Sequence, residues 1–320
     1  MRIPLSLSVY EHAAAIIGVT PWEASGDPEL CYRAHREAWL LYGHFPVVVG
    51  IDIYNLEAEA YGAEVRRPSG TGIPAMTEPI VASAEEGLAL PPLDPAHGRI
   101  PMMIVVARRL AEEFAEADVR LPVSGPFSVA QSLLGLNALL EAVALEPDAV
   151  RALLEHLVTG QTRFAGAVVE AGLQVAFFES AAAPPLLSPA QFRAIEAGPL
   201  QRVMREVGEI CGRPVPCIIG GDTAPLVPEL LATGTDFLIC PAETDRQRFL
   251  AATMGAPEVK VRVNLDPPVY MQGTEAEIAA AVDEVVELAR LRPNVLLGTG
   301  AIPYETPPEK LLFLKSYCEG

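Results

Sequence analysis

Three carboxylates and an amide stand where short apolar runs of this chain give way to turn residues. They are Asp52 after the run from Val47, Glu179 after Phe177-Phe178, Asp222 after Gly220-Gly221, and Asn264 ahead of Leu265-Asp266-Pro267-Pro268. Acids and amides gathered at one rim hydrogen-bond a small polar molecule with specificity. The two phenylalanines before Glu179 would desolvate it and raise its pKa, as acid–base chemistry requires. Ser180 follows directly, and Gly125-Pro126-Phe127 closes another apolar run. Structural roles compete at each position. Asp222 is equally placed to cap a helix, Asn264 to close a turn, and Asp52 to accept backbone amides at the end of an apolar run.

Other chemistries find little to work with. The five histidines (His12, His35, His44, His97, His156) do not pair with one another or with cysteines at metal-binding spacing. Only His12 follows an apolar run closely. The five cysteines (Cys31, Cys211, Cys217, Cys240, Cys318) make no CxxC pair and read as buried thiols in a reducing compartment. No HExxH, nucleophile elbow or phosphate-cradling loop is present, so no metal is expected.

The elements that must carry these residues alternate along the chain. Candidate strands are Ile3 to Val9, Val47 to Ile53, Leu121 to Gly125, Leu173 to Phe178, Val215 to Ile219, Phe237 to Cys240, Val259 to Asn264 and Val295 to Leu297. They read mostly as continuous apolar runs, the pattern of parallel strands buried on both faces. Helical segments lie between them. Asp148 to Ala171 ends at Gly172, Ser188-Pro189 opens a helix, Asp222-Thr223 starts another, Thr274 with Glu277 makes a capping box, and Thr306-Pro307 opens the last. Eight strands with covering helices and no linker predict one (β/α)8 TIM barrel domain spanning residues 1–320. An open doubly wound sheet is disfavoured because no glycine-rich dinucleotide fingerprint follows any strand. In a barrel, the strand ends named above share one mouth. The aperiodic, proline-rich stretch from Arg66 to Arg99 reads as a long loop over it. A net charge of −18 argues against nucleic acid and anionic membrane partners. With no secretory leader and no long apolar run, a cytoplasmic protein is expected.

The order and spacing of several segments resemble the uroporphyrinogen decarboxylase superfamily, in particular its corrinoid-dependent methyltransferase branch, over nearly the whole chain. The carrying segments are Asp52-Ile53 with Glu59 to Val65, Gly125-Pro126-Phe127-Ser128, Phe178-Glu179-Ser180, and Leu187-Ser188-Pro189 with Phe192. Later come Gly221-Asp222-Thr223, Gly234-Thr235-Asp236, Asn264-Leu265-Asp266-Pro267, and Gly298 to Pro307. Two departures separate the branches. The decarboxylases' arginine-rich N-terminal motif is missing, since no arginine stands between Arg2 and Arg33. Their active-site tyrosine and late histidine fall at Ser132 and Thr299. The thiol-methylating members' zinc ligands fall at Ile218, Gly220 and Ala301, none of which can ligate. Cys217 and Cys240 lie near those positions and read as packing thiols.

What remains resembles the zinc-free members, which move a methyl group between a corrinoid protein and tetrahydrofolate. The resemblance therefore implies a methyltransferase in one-carbon metabolism, with tetrahydrofolate as substrate and methylcobalamin carried by a corrinoid protein partner. Asp222 and Asn264 would hold the pterin, with Glu179 and Asp52 in support and Ser180 at the margin. Phe127 and Phe178 would carry the apolar part of the acceptor. Two alternatives stay open: a uroporphyrinogen decarboxylase-like lyase, and a catalytically inactive relative that binds a tetrapyrrole or corrinoid.

Overall fold

The structure, a computed structural model, describes residues 3–76 and 78–320. Eight parallel strands form its centre: β1 (Leu5–Ser8), β2 (Val47–Val48), β3 (Val119–Ser124), β4 (Gln174–Phe178), β5 (Cys217–Ile218), β6 (Phe237–Cys240), β7 (Lys260–Leu265) and β8 (Val295–Ala301). Their hydrogen-bonded order is β1-β8-β7-β6-β5-β4-β3-β2, so the strands from β2 to β8 pair in sequence order and β8 returns to β1. β1 and β2 are the ends of this ladder, which leaves a seam in an otherwise closed (β/α)8 barrel. All eight candidate strands are found, with β1, β2 and β5 shorter and β8 longer than their apolar runs.

Helices cover the outside for reasons visible in their ends. The long helix Pro147–Glu170 buries Leu153, Leu154, Leu157, Phe164 and Val168 along one face. Gly172, at φ 78°, turns the chain out of it into β4. Ser188 and Thr274 both make capping boxes, with Gln191 and Glu277 respectively. The helix begun at Ser188 widens into a π turn over Phe192–Glu196 before continuing as Ala197–Cys211. No single described helix is long and apolar enough to cross a membrane.

The barrel has two cores. A large one fills the layer between strands and helices, while Tyr10, Val48, Ile53, Ala176 and Phe178 form a small separate cluster joined by Ile218. The apolar reading of the strands misses part of the interior. β1 (Leu-Ser-Leu-Ser) and β7 (Lys-Val-Arg-Val-Asn-Leu) alternate, and the Arg262 side chain meets those of Ser6 and Ser8. The stretch after Arg66 also carries more structure than a bare loop. It holds a two-stranded hairpin, Val65–Arg66 with Ala75–Met76, and the short helix Ala84–Leu88.

Candidate active site at the carboxyl ends of the strands

Asp52 lies in the turn beyond β2, with only 3% of its surface exposed. Its two oxygens are taken by the Arg99 guanidinium at 2.8 and 2.6 Å, and Oδ2 also accepts from Asn55 Nδ2 at 2.9 Å. Arg99 reaches Glu59 at 2.7 Å as well. This bidentate, buried pair holds the mouth segment to the barrel and leaves Asp52 little capacity for a ligand. At the position where the sequence expects Asp52 to face a bound molecule, a cation supplied by the far end of the mouth segment neutralises it.

Glu179 also has its partners within the protein. It is fully buried, and it accepts from the backbone N–H groups of Phe127 (3.2 Å) and Ser128 (2.8 Å) and from Ser128 Oγ (2.6 Å). Those donors are free amides at the start of the helix Pro126–Leu134. Burial raises the Glu179 pKa to about 7, while the Ser128 hydroxyl and the amides oppose the rise. Glu196, on the π turn, is buried nearby. Burial first, and repulsion from Glu179 second, push its carboxyl well above the ordinary range. The raised pKa expected of Glu179 is thus present, but on a group turned toward a helix start.

Asp222 and Asn264 behave differently. Asp222 is half-buried and caps nothing: the 3-10 turn Ala224–Leu226 has Thr223 at its N-cap position and no side-chain cap. Its Oδ1 is buried without a hydrogen-bond partner. Gly221, at φ 81°, makes this geometry possible, because a Cβ there would lie 2.4 Å from Pro184 O. Asp222 N–H bonds that same carbonyl at 3.0 Å. Thr244 ties the loop to the next one through Gly221 O (2.9 Å) and Thr223 N (3.1 Å). Asn264, on β7 and 4% exposed, likewise has an unpartnered Oδ1, while its carbonyl accepts from Arg246 Nη2 at 3.0 Å. The turn-closing role open to Asn264 in the sequence finds no hydrogen bond here. Buried acceptors without donors are costly in a finished fold, so each of these two calls for a donor from water or a ligand.

The aromatic expectations change too. Phe127 is fully buried in the large core, away from any ligand surface. Phe178 is in the interior cluster, met edge-on by Tyr10 and by Tyr54, each at 6.2 Å between ring centres. The ring presented at the mouth is Tyr54, 43% exposed, whose hydroxyl accepts from Ser180 Oγ at 3.3 Å. Tyr54, Asn55, Ser128, Ser132, Ser180 and Glu78 line a mouth cavity of about 420 Å³. Tyr54 was legible two residues after Asp52, but nothing local distinguishes it from a packing tyrosine.

The hairpin crosses the mouth. Thr71 Oγ1 donates to Glu305 on the loop after β8 at 2.6 Å, and a second cavity of about 570 Å³ lies between them. Glu11 lines it, 7% exposed, with its pKa raised to about 7 by burial and then by Glu305. His12, the histidine the sequence places near the mouth, instead turns inward to the Tyr42 hydroxyl at 2.9 Å.

The three positions that match zinc ligands in the thiol-methylating members carry no ligating side chain. Ile218 joins the interior cluster, Gly220 is in the loop after β5, and Ala301 ends β8, so none offers a donor side chain. Cys217 and Cys240 are fully buried, and burial pushes both thiols up, Cys240 to about 12. Among the described residues no three His, Cys, Asp or Glu side chains gather as a metal site. A zinc ion does not fit these residues.

Known proteins bear on this geometry. A curated protein, methylcobamide:CoM methyltransferase MtaA of Methanosarcina barkeri, is 26% identical over 205 residues. That match covers 62% of this chain and 60% of that protein. A solved methyltransferase from Methanosarcina mazei has the same fold, with a TM-score of 0.87 over 99% of this chain and 94% of the other, at 21% identity. The model of the family described as uroporphyrinogen decarboxylase (URO-D) matches residues 1–319. With that match along its length, and with the barrel to go with it, the chain belongs to the uroporphyrinogen decarboxylase family.

Proposed function

We propose that this chain is a corrinoid-dependent methyltransferase that moves a methyl group between a protein-bound methylcorrinoid and tetrahydrofolate. The observation that carries the acceptor is the pair of buried, unpartnered oxygens on Asp222 and Asn264. A pterin edge rich in N–H donors would satisfy both. The named relative acts on coenzyme M, and thiol methylation of that kind uses a metal-activated sulfur. Ile218, Gly220 and Ala301 cannot hold that metal, which favours an amine acceptor.

In this reading the N5 lone pair of tetrahydrofolate attacks the methyl carbon, the cobalt–carbon bond breaks, and its electron pair stays on cobalt. N5 becomes cationic and then loses its proton. Asp222 stabilises the developing charge. Asn264 and Asp222 fix the ring in line with the cobalt–carbon bond, and such positioning can lower a barrier by up to about 7–11 kcal/mol. Tyr54 and Ser180 hold the apolar portion of the acceptor. Asp52 and Glu179 are positioning residues, acting through Arg99 and through the helix start at Pro126. The corrinoid protein docks over the mouth.

The test follows the cobalt spectrum of methylcobalamin mixed with the purified chain and either tetrahydrofolate or coenzyme M. Demethylation should depend on tetrahydrofolate and fall about tenfold or more in Asp222→Ala and Asn264→Ala, the loss of roughly one charge-assisted hydrogen bond. Turnover with coenzyme M alone would overturn the acceptor. No turnover with either would overturn the methyltransferase.

A further inference from the structure

A third cavity, of about 320 Å³, occupies the barrel interior at the amino ends of the strands, opposite the mouth. Pro4, Phe45, Pro46, Pro214 and Phe237 stand around its opening, and the unpaired β1–β2 seam forms one wall. The stack of Tyr10, Phe178 and Tyr54 separates it from the mouth: Tyr10 lines the interior cavity, Tyr54 lines the mouth cavity, and Phe178 packs between them.

Its charges are unusual for this protein. The whole chain has 23 basic and 41 acidic residues. The charged groups lining this cavity are Arg120, Arg213, Lys260 and Arg262 against Asp236 alone. Arg120 is already paired with Asp118. Arg262 is not paired. It is 5% exposed, and its contacts are Nη1 to Ser8 Oγ at 3.1 Å and to Ser6 Oγ at 3.4 Å, with the Phe237 ring 5.8 Å from its guanidinium carbon. Nε is buried with no partner. No carboxylate of the described residues forms an ion pair with it.

Gly298 holds this arginine in place. A Cβ there would fall 2.4 Å from Arg262 Cδ, so the arginine stem lies across a backbone left bare for it. A guanidinium inside a barrel costs several kcal/mol unless an anion or equivalent hydrogen bonds offset it. Two hydroxyls on Nη1 and the packing of Nε against Gly298 leave Nη2 as the nitrogen free to meet a carboxylate in the cavity. Much of the remaining lining is apolar, including Val48, Ala176, Ile218 and Leu296.

We infer that the barrel interior is a second ligand site, which takes a small organic carboxylate with an apolar body. The carboxylate pairs with Arg262, the hydrocarbon fills the interior, and Lys260 and Arg213 draw the anion to the opening. The site is independent of the acceptor assigned to the mouth, because it uses the other end of the barrel.

Titration calorimetry and thermal unfolding of the full chain with 4-phenylbutyrate, its uncharged amide and inorganic phosphate test this directly. Binding and a raised Tm are expected with the carboxylate, and at least tenfold weaker binding with the amide. Arg262→Met should lower carboxylate affinity tenfold or more. Ala176→Met narrows the cavity from the β4 wall while keeping the arginine and should lower affinity similarly, which covers failure of the first variant to fold. No binding of the carboxylate, equal binding of the amide, or unchanged affinity in Ala176→Met would overturn the site. A phosphate shift as large as the carboxylate's would overturn the apolar half of the assignment.

Discussion

Arg99 holds two carboxylates at once, Asp52 and Glu59, with its own side chain 15% exposed. Burial works against its charge, but both acids overcome it and its pKa is raised. Removing one partner of such a cluster is far worse than never having built it, because the remaining charges stay buried without compensation. Arg99→Met is therefore expected to destabilise the chain by about 3–5 kcal/mol. Adding Asp52→Asn to that variant should restore part of the loss, as measured by urea unfolding of the two single variants and the double. Strictly additive losses would show that the Arg99–Asp52 pair is not the source.

At the scale of elements, the start of the helix Pro126–Leu134 depends on a glycine and a glutamate that meet. A Cβ on Gly125 would fall 1.8 Å from Glu179 Oε2, on the carboxylate that accepts the Phe127 and Ser128 amides. Gly125→Ala must push that carboxylate off its donors or displace the helix. A loss of about 2 kcal/mol or more is expected, from overpacking together with orphaned amides. Gly172→Ala is the contrast: nothing lies within 4 Å, and only its φ of 78° is strained. There the cost should be about 1 kcal/mol. Thermal unfolding of both variants, with equal losses, would count against the Glu179 contact.

For the molecule as a whole, buried titratable groups set opposing pH dependences. Glu57 accepts from Ser124 N at 2.6 Å and Ser124 Oγ at 3.0 Å. Burial nevertheless raises its pKa from 4.5 to about 7. Folding then favours its protonated form, so the stability it contributes is complete below 4.5 and is lost as the pH rises through about 7. His35 and His44 run the other way. Burial lowers them from 6.5 to about 4 and about 3, so their contribution is present above 6.5 and lost in acid. Glu57→Gln keeps an acceptor for Ser124 and removes the titration. Its stability relative to the natural chain should therefore improve between about pH 5 and about pH 8, by on the order of 1–3 kcal/mol. Urea midpoints that shift in parallel at both pH values would exclude Glu57 as the titrating group.

The eight strands, the stop at Gly172, the helix start at Ser188 and the capping box at Thr274 were all readable in the sequence, as was the convergence of strand ends on one mouth. Each rests on periodicity or on contacts within about four residues, where the chain specifies its own neighbours. Tertiary structure decided what each side chain meets. Arg99 is 47 residues from Asp52, Ser128 is 51 from Glu179, and Ser8 is 254 from Arg262. Asp52 and Glu179 looked as available as Asp222 until those distant partners were in place. The inward cation on β7 is not legible in the sequence, because a period of two says which residues share a face, and only closure of the barrel turns one face into an interior.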